Sequence, residues 1–210
     1  MGFSEMSHAF IVARFYIHLK KTFGEKGIKT FVHATQYYAG QRGRRMAQRA
    51  LHDGEELTYD TYMRYGEWES SCESIEKGYS NLVVVDSLAP DYVIRITRCP
   101  WHIQFKKMEL IEAGNVYCSH LDSAICRGFN PYLTYTVEQT LHEHDCCIQK
   151  MVDANFKEKP NVVKKKESMR SFEYHCAHVF WSYNEVIGSV LGELGEEVNL
   201  TRLSQLWNLK

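Results

Sequence analysis

Residues 81–97 read Asn-Leu-Val-Val-Val-Asp-Ser-Leu-Ala-Pro-Asp-Tyr-Val-Ile-Arg-Ile-Thr. Two runs rich in β-branched residues, 81–86 and 92–97, lie on either side of Pro90-Asp91, a pair typical of a turn. This arrangement predicts a β-hairpin. The chain before the hairpin has a helical period instead, so the hairpin decides that helices are combined with an antiparallel sheet.

Upstream of the hairpin, apolar residues recur at helical spacing. Residues 6–20 and about 27–52 predict two helices, with Gly24 and Gly27 marking the break between them. A third, short helix is predicted at 58–68. The N-terminal third of the chain is therefore expected to be helical.

Downstream of the hairpin, the pattern changes four times. Residues 101–128 predict a helix, and 132–138 and 146–152 predict two further strands. The charged segment 156–167 has no apolar period and predicts a loop. A long closing helix is predicted at about Met169–Leu194. The fold class is therefore α+β: an antiparallel sheet of about four strands packed against several helices, with a long C-terminal helix.

Length and composition limit the protein classes. The 210 residues fit a single α+β domain over 1–210, helical over about 1–70, with the sheet and further helices over about 71–210. A formal charge of −1 gives no reason to expect a nucleic acid partner. No run approaches the roughly 18 apolar residues of a membrane span. Seven irregularly spaced cysteines and no N-terminal signal pattern predict a cytoplasmic protein with free thiols.

Cys118 and Asp122 lie four residues apart in the predicted helix 101–128, so they share a face beside its apolar stripe. The carboxyl group could orient a partner or hold a proton. Its charge opposes ionisation of a nearby thiol, so a thiolate there also requires a cation. A buried structural cysteine beside an aspartate is the simpler interpretation of this spacing alone.

Cys99 follows the strand 92–97 and precedes Pro100 and a predicted helix. A thiol at a helix N-terminus lies where the helix dipole favours the thiolate, and Arg98 could add positive charge. A packing cysteine beside Trp101 explains the same pattern equally well.

Histidines and arginines give weaker signals. The segment from His142 to Cys147 holds metal-ligand residue types, but without the spacing of an established zinc site a polar turn is favoured. His175 and His178 are three residues apart and could bind a metal or relay a proton, although such histidines more often bond to backbone or tyrosine. In 42–45, Arg44 could clamp an anion.

Several segments, in order along most of the chain, are similar to segments of one known protein family. Together they resemble the L-2-amino-thiazoline-4-carboxylic acid hydrolase family, at residues 23–38, 41–44, 98–101, 112–114, 117–118, 120–122, 127–131, 140–141, 145–147 and 172–178. Residues 142–144 depart from the family, which usually has a Gly-Asp turn there. The resemblance implies a fold similar to the 4-vinyl reductase type of small-molecule-binding domain. It also implies hydrolytic C–N cleavage of a cyclic isothiourea. No cofactor and no metal are predicted, and a metal-activated water stays an alternative to a thiol.

The resemblance implies roles for particular residues. Cys99 or Cys118 would be the nucleophile, and Asp122 the acid–base group or amidinium partner. His175 would be a proton carrier. Four further residues would contact the substrate: Arg44, Asn130, His178 and Cys147.

Two other interpretations stay open. The chain could be a non-catalytic small-molecule sensor or carrier, because no recognised catalytic triad is present. It could also be a metalloprotein using His142, His144 and Cys147. The expected partner is a small molecule, with neither nucleic acid nor membrane, and a homodimer is an open alternative.

Overall fold

The computed structural model describes residues 2–193 and 195. Its longest element, helix α1, spans Glu5–His52 and is interrupted at Gly24, where φ is 56° and ψ is −131°. A Cβ on Gly27 would lie 2.0 Å from the carbonyl oxygen of Leu19. In a straight helix these residues would be about 12 Å apart along the axis. The chain therefore bends sharply at Gly24, which confirms two helices with a break at this glycine.

Two short helices follow, α2 at Tyr59–Arg64 and α3 at Cys72–Glu76. The Thr58 side chain caps α2 by accepting a hydrogen bond from the backbone N–H of Thr61. Helix α2 ends at Arg64, so the prediction of a helix as far as Trp68 was too long. Helix α3 was not predicted, because five residues are too few for an apolar period.

The sheet has four strands: β1 at Leu82–Ser87, β2 at Tyr92–Arg98, β3 at Tyr135–Gln139 and β4 at Cys147–Met151. Their order is β1-β2-β4-β3, and every neighbouring pair is antiparallel. The hairpin and both later strands are thus confirmed. Strands β1 and β3 form the two edges.

The prediction of one continuous helix over 101–128 is wrong. Helix α4 spans Pro100–Lys107 and helix α5 spans Ile111–Phe129. Between them Glu109 has φ of 59°, and the N–H of Leu110 donates to the carbonyl of Phe105 at 2.9 Å. This is a Schellman stop, which usually contains glycine. Because glutamate occupies that position here, the sequence shows no break.

The last described helix, α6, spans Phe172–Leu191 and follows a 3-10 turn at Lys166–Ser168. Ser171 caps it, so the helix begins three residues after the predicted start, and Leu194 lies outside the described residues. Helices α5 and α6 both pack against α1, and α5 also contacts β3. Helix α5 therefore lies between the helical layer and the sheet.

These elements confirm the α+β class. Within residues 2–193 and 195, no helix combines the length and apolar character that a membrane crossing requires. All seven cysteines are free. The cytoplasmic location and the domain extent of 1–210 stay predictions.

Candidate functional site

A cavity of about 340 Å³ lies between α5 and the sheet. Helix α5 contributes the face that carries Cys118 and Asp122, and Cys99 lies where β2 passes into α4. Strand β4 contributes Cys147 and Gln149. Three of the predicted thiols and the predicted carboxyl group therefore line one cavity.

The thiol of Cys118 faces an imidazole. Its Sγ lies 3.5 Å from Nε2 of His142. Gly114 lies one helical turn before Cys118, and a Cβ on it would lie 2.3 Å from Cε1 of His142. Only glycine leaves room for the ring, so Gly114 and Cys118, on one face of α5, together determine where this imidazole lies.

The other ring nitrogen of His142 has its own partner. Nδ1 of His142 lies 3.4 Å from Nδ1 of His102 on α4. One tautomer satisfies both contacts: Nδ1–H donates to His102, and Nε2 accepts from Cys118. Burial, with a smaller contribution from His102, lowers the pKa of His142 from 6.5 to about 4. The imidazole is therefore neutral near neutral pH and able to accept a proton.

The cavity thiols are protonated in the free protein. Burial raises the pKa of Cys118 well above its usual range, and the nearby Cys99, Cys147 and Asp122 add to the rise. Burial also raises the pKa of Cys99 to about 12. The backbone N–H groups at the start of α4 act in the opposite direction, as the helix dipole predicts, but burial is the larger effect.

The carboxyl group of Asp122 is held by a short chain of hydrogen bonds. Gln149 Nε2 donates to Asp122 Oδ2 at 2.9 Å, and Tyr135 Oη donates to Gln149 Oε1 at 2.6 Å. Burial raises the pKa of Asp122, against opposing effects of Arg42 and Gln149. Asp122 thus keeps its proton to a higher pH than an ordinary aspartate, which suits a general acid.

A buried guanidinium supplies positive charge to the cavity, and it belongs to Arg42. Its partner Glu67 is fully buried and also pairs with Arg45 and Arg49. Three guanidinium groups share one carboxylate, so the cluster is left net positive. Lys164 lines the same cavity. An anionic ligand group would be stabilised here.

Two polar atoms in the cavity wall lack partners. Among the described residues, nothing forms a hydrogen bond with Oη of Tyr117 or Oδ1 of Asn81. A buried polar atom without a partner costs about 1–3 kcal/mol. A ligand in the cavity that donated to Asn81 and bonded to Tyr117 would remove this cost.

Two predicted substrate contacts lie elsewhere. Arg44 is exposed on α1, two residues from the arginine that lines the cavity. Asn130 ends α5: its Nδ2 donates to the carbonyl of Leu57 at 2.8 Å, and its Oδ1 accepts from the N–H of Tyr132 at 3.0 Å. Both side chains serve the outer surface or the backbone rather than the cavity.

The two predicted histidines of α6 also lie outside the cavity lining. Nε2 of His175 lies 3.2 Å from the carbonyl oxygen of Glu67, and Nε2 of His178 donates to Oε1 of Gln41 at 2.7 Å. Burial lowers the pKa of His175 to about 4 and that of His178 to about 3. They link α6 to the chain around Glu67 and to α1.

The alternative metal site does not form. Among residues 2–193 and 195, no group of three or more His, Cys, Asp or Glu side chains is arranged to hold a metal ion. His142 contacts Cys118, whereas Cys147 Sγ accepts from the backbone N–H of Leu141 at 3.2 Å. His144 is exposed.

Residues 4–149 match the family described as L-2-amino-thiazoline-4-carboxylic acid hydrolase. The chain belongs to this hydrolase family. The matched range contains Arg42, Cys99, Cys118, Asp122 and His142, and it ends before α6. The segment 172–178, which extended the resemblance, lies outside it. Neither a comparison with curated proteins nor one with solved structures gives a match.

Proposed function

We propose that this family member opens a cyclic isothiourea of the 2-aminothiazoline-4-carboxylate type by hydrolysis of a C–N bond, with Cys118 as nucleophile. One observation carries the proposal: Cys118, Asp122, whose pKa is raised by burial, and the positive Arg42 line one cavity, and the neutral imidazole of His142, outside that lining, contacts the Cys118 thiol. Each group supplies one requirement of the reaction.

Binding uses the opposite charges of the substrate. The ring carboxylate pairs with Arg42, which can take a second anion because Glu67 is shared among three arginines. The amidine nitrogens face Oδ1 of Asn81, which lacks a partner among the described residues. The ring carbon between sulfur and nitrogen then faces the thiols.

The first step forms a covalent intermediate. The Cys118 thiol gives its proton to Nε2 of His142, and Sγ bonds to the amidine carbon. Asp122 then protonates the ring nitrogen as the bond between that nitrogen and the amidine carbon breaks. The product is an open-chain thioimidate on Cys118, with the former ring nitrogen released as an amine.

The second step uses water. The Asp122 carboxylate takes a proton from a water molecule, whose oxygen bonds to the same carbon. The bond from Sγ to that carbon breaks, and His142 returns its proton to the Cys118 thiolate. The product is an S-carbamoyl thiol (a thiocarbamate), the second proton of the water passes to the released amine, and every group of the site regains its starting protonation state.

Cys118 is preferred to Cys99 as the nucleophile. Cys118 has an imidazole at 3.5 Å. Within the described part of the chain, no side-chain base forms a hydrogen bond with Cys99. Because burial keeps both thiols protonated, the one with a base in contact can ionise as it attacks.

Product formation by single variants tests the proposal. Cys118→Ser should reduce release of the S-carbamoyl product at least about 10³-fold, because a buried hydroxyl is a much weaker nucleophile. Cys72→Ser, on exposed Cys72, is the matched control and should keep full turnover. Full turnover by Cys118→Ser would show that another group attacks.

A second candidate function is ligand binding without chemistry. The raised pKa values of the cavity thiols favour it, since a resting thiolate is absent. A ligand that is retained unchanged for hours by the wild-type protein supports this function. Steady release of the ring-opened product contradicts it.

A further inference from the structure

The cavity is large for the ring that gives the family its name. Pockets of about 300–1,000 Å³ enclose drug-sized ligands. This cavity has about 340 Å³. A five-membered ring with an amino group and a carboxylate is much smaller than such a ligand, so a substantial part of the space stays unfilled.

The most exposed part of the cavity lining is apolar. Among the side chains that line the cavity, only Val83 and Val162 are exposed, at 45% and 36%. Arg42, Tyr117 and Glu67 are buried. Arg42 and Glu67 therefore lie deep, whereas the two valines lie where the cavity meets solvent, and Lys164 is half-buried.

One side of the cavity is a fixed aromatic wall. The rings of Trp68 and Trp101 meet edge to face with centroids 4.9 Å apart. Nε1 of Trp101 donates to Nδ1 of His8 at 3.1 Å. Lys164 lies over the Trp68 ring at 5.3 Å and donates to the Trp68 carbonyl. Both indoles are held in place without a ligand, as a preformed apolar surface requires.

We propose that the substrate is a 2-aminothiazoline carboxylate, or a close cyclic isothiourea, that carries an apolar alkyl or aryl substituent. The polar ring lies inside, against Arg42 and Cys118, and the substituent lies along Trp68 and Val83 toward the mouth. It fills space that the unsubstituted ring leaves to water, and its burial contributes to binding. This inference rests on the proposed function.

A substrate series tests it. The probes are 2-amino-thiazoline-4-carboxylate and its 5-methyl, 5-isopropyl and 5-benzyl derivatives. We expect kcat/KM to rise along the series and to be at least about tenfold higher for the benzyl derivative, the size of effect that apolar pocket contacts give. A parent compound that is turned over as well as or better than every derivative overturns the inference and leaves the proposed function standing. If none of the four compounds is turned over, both the inference and the proposed function are overturned.

Strand β1 offers a matched pair of variants. Val83 and Val84 are neighbours with 45% and 44% exposure, but only Val83 lines the cavity. Val83→Ser should lower kcat/KM for the benzyl derivative about tenfold more than for the parent compound. Val84→Ser should change neither. Equal effects of the two variants, or an equal loss for both substrates in Val83→Ser, contradict the placement of the substituent.

Discussion

The Nε2 atom of His142 lies 3.5 Å from Sγ of Cys118. Neither residue indicates the other in the sequence, because they belong to a loop and a helix 24 residues apart. The contact pairs a half-buried, protonated thiol with a buried, neutral imidazole. Neither group is charged at rest, so proton transfer between them can accompany attack on a substrate.

Gly114 is expected to be essential for this contact. In Gly114→Ala the new methyl would lie 2.3 Å from Cε1 of His142, so the ring must move away from Cys118. We expect kcat to fall about 10²–10⁴-fold, as for loss of a general base. Thermal unfolding should show a cost of about 1–3 kcal/mol for overpacking. Gly40→Ala is the control, since its methyl finds only ordinary contacts, the nearest at 3.7 Å. Equal activities of the two variants would contradict the role of Gly114.

Asp122→Asn removes the proton donor and changes shape very little. The amide oxygen of the new side chain could still accept from Gln149 Nε2, so the fold should be retained. We expect kcat to fall about 10²–10⁴-fold with little change in KM. Steady-state kinetics and a melting curve separate this result from unfolding. A variant with wild-type kcat would remove Asp122 from the mechanism.

Arg42 and Arg44 give opposite predictions. Arg42→Gln should raise KM for 2-amino-thiazoline-4-carboxylate at least about tenfold. It should raise KM much less for an analogue of this compound that lacks the carboxylate. A stability loss is also expected, because Arg42 is buried beside Glu67. Arg44→Gln, on the exposed side of α1, should change neither value. If Arg44→Gln instead raises KM, the sequence-based assignment of Arg44 was the better one.

Acid should destabilise the protein through its buried histidines. Burial lowers the pKa of His142 and His175 from 6.5 to about 4, and that of His178 to about 3. Below about pH 6.5 the unfolded chain therefore binds protons that the folded chain still rejects, and the free energy of unfolding falls as the pH drops toward 4. Each such group contributes about 1.4 kcal/mol per pH unit in this range.

Melting curves between pH 7 and pH 5 measure this effect. Tm should fall over that interval in the wild type and fall less in His142→Asn. His33→Asn, on an exposed residue of α1, should keep the wild-type slope. A wild-type Tm that does not change over the interval contradicts the account of buried neutral histidines.

The sequence predicted the sheet well, because β-branched runs and a turn identify a hairpin locally. It also placed Cys118 and Asp122 on one helical face by their spacing alone. It could not show which of Arg42 and Arg44 faces the interior, because residues 41–45 include no apolar side chain to indicate the buried side of the helix. Nor could it find the break at Glu109, because the backbone there takes a glycine-like conformation without glycine.

The partner of Cys118 was equally hidden. His142 was considered as a metal ligand in a polar turn, and nothing local connects it to α5. A usable signal was Gly114, a glycine inside an otherwise regular helix, which often marks a close approach by another group.

The central claim is that Sγ of Cys118 bonds to the substrate carbon. Mixing the protein with 2-amino-thiazoline-4-carboxylate or its 5-benzyl derivative, quenching with acid within one turnover and mapping peptides by mass spectrometry tests it directly. The account predicts an added mass equal to the whole substrate on the peptide that contains Cys118, and none in His142→Asn. An adduct on Cys99 instead, or rapid turnover with no adduct on any cysteine, would contradict it.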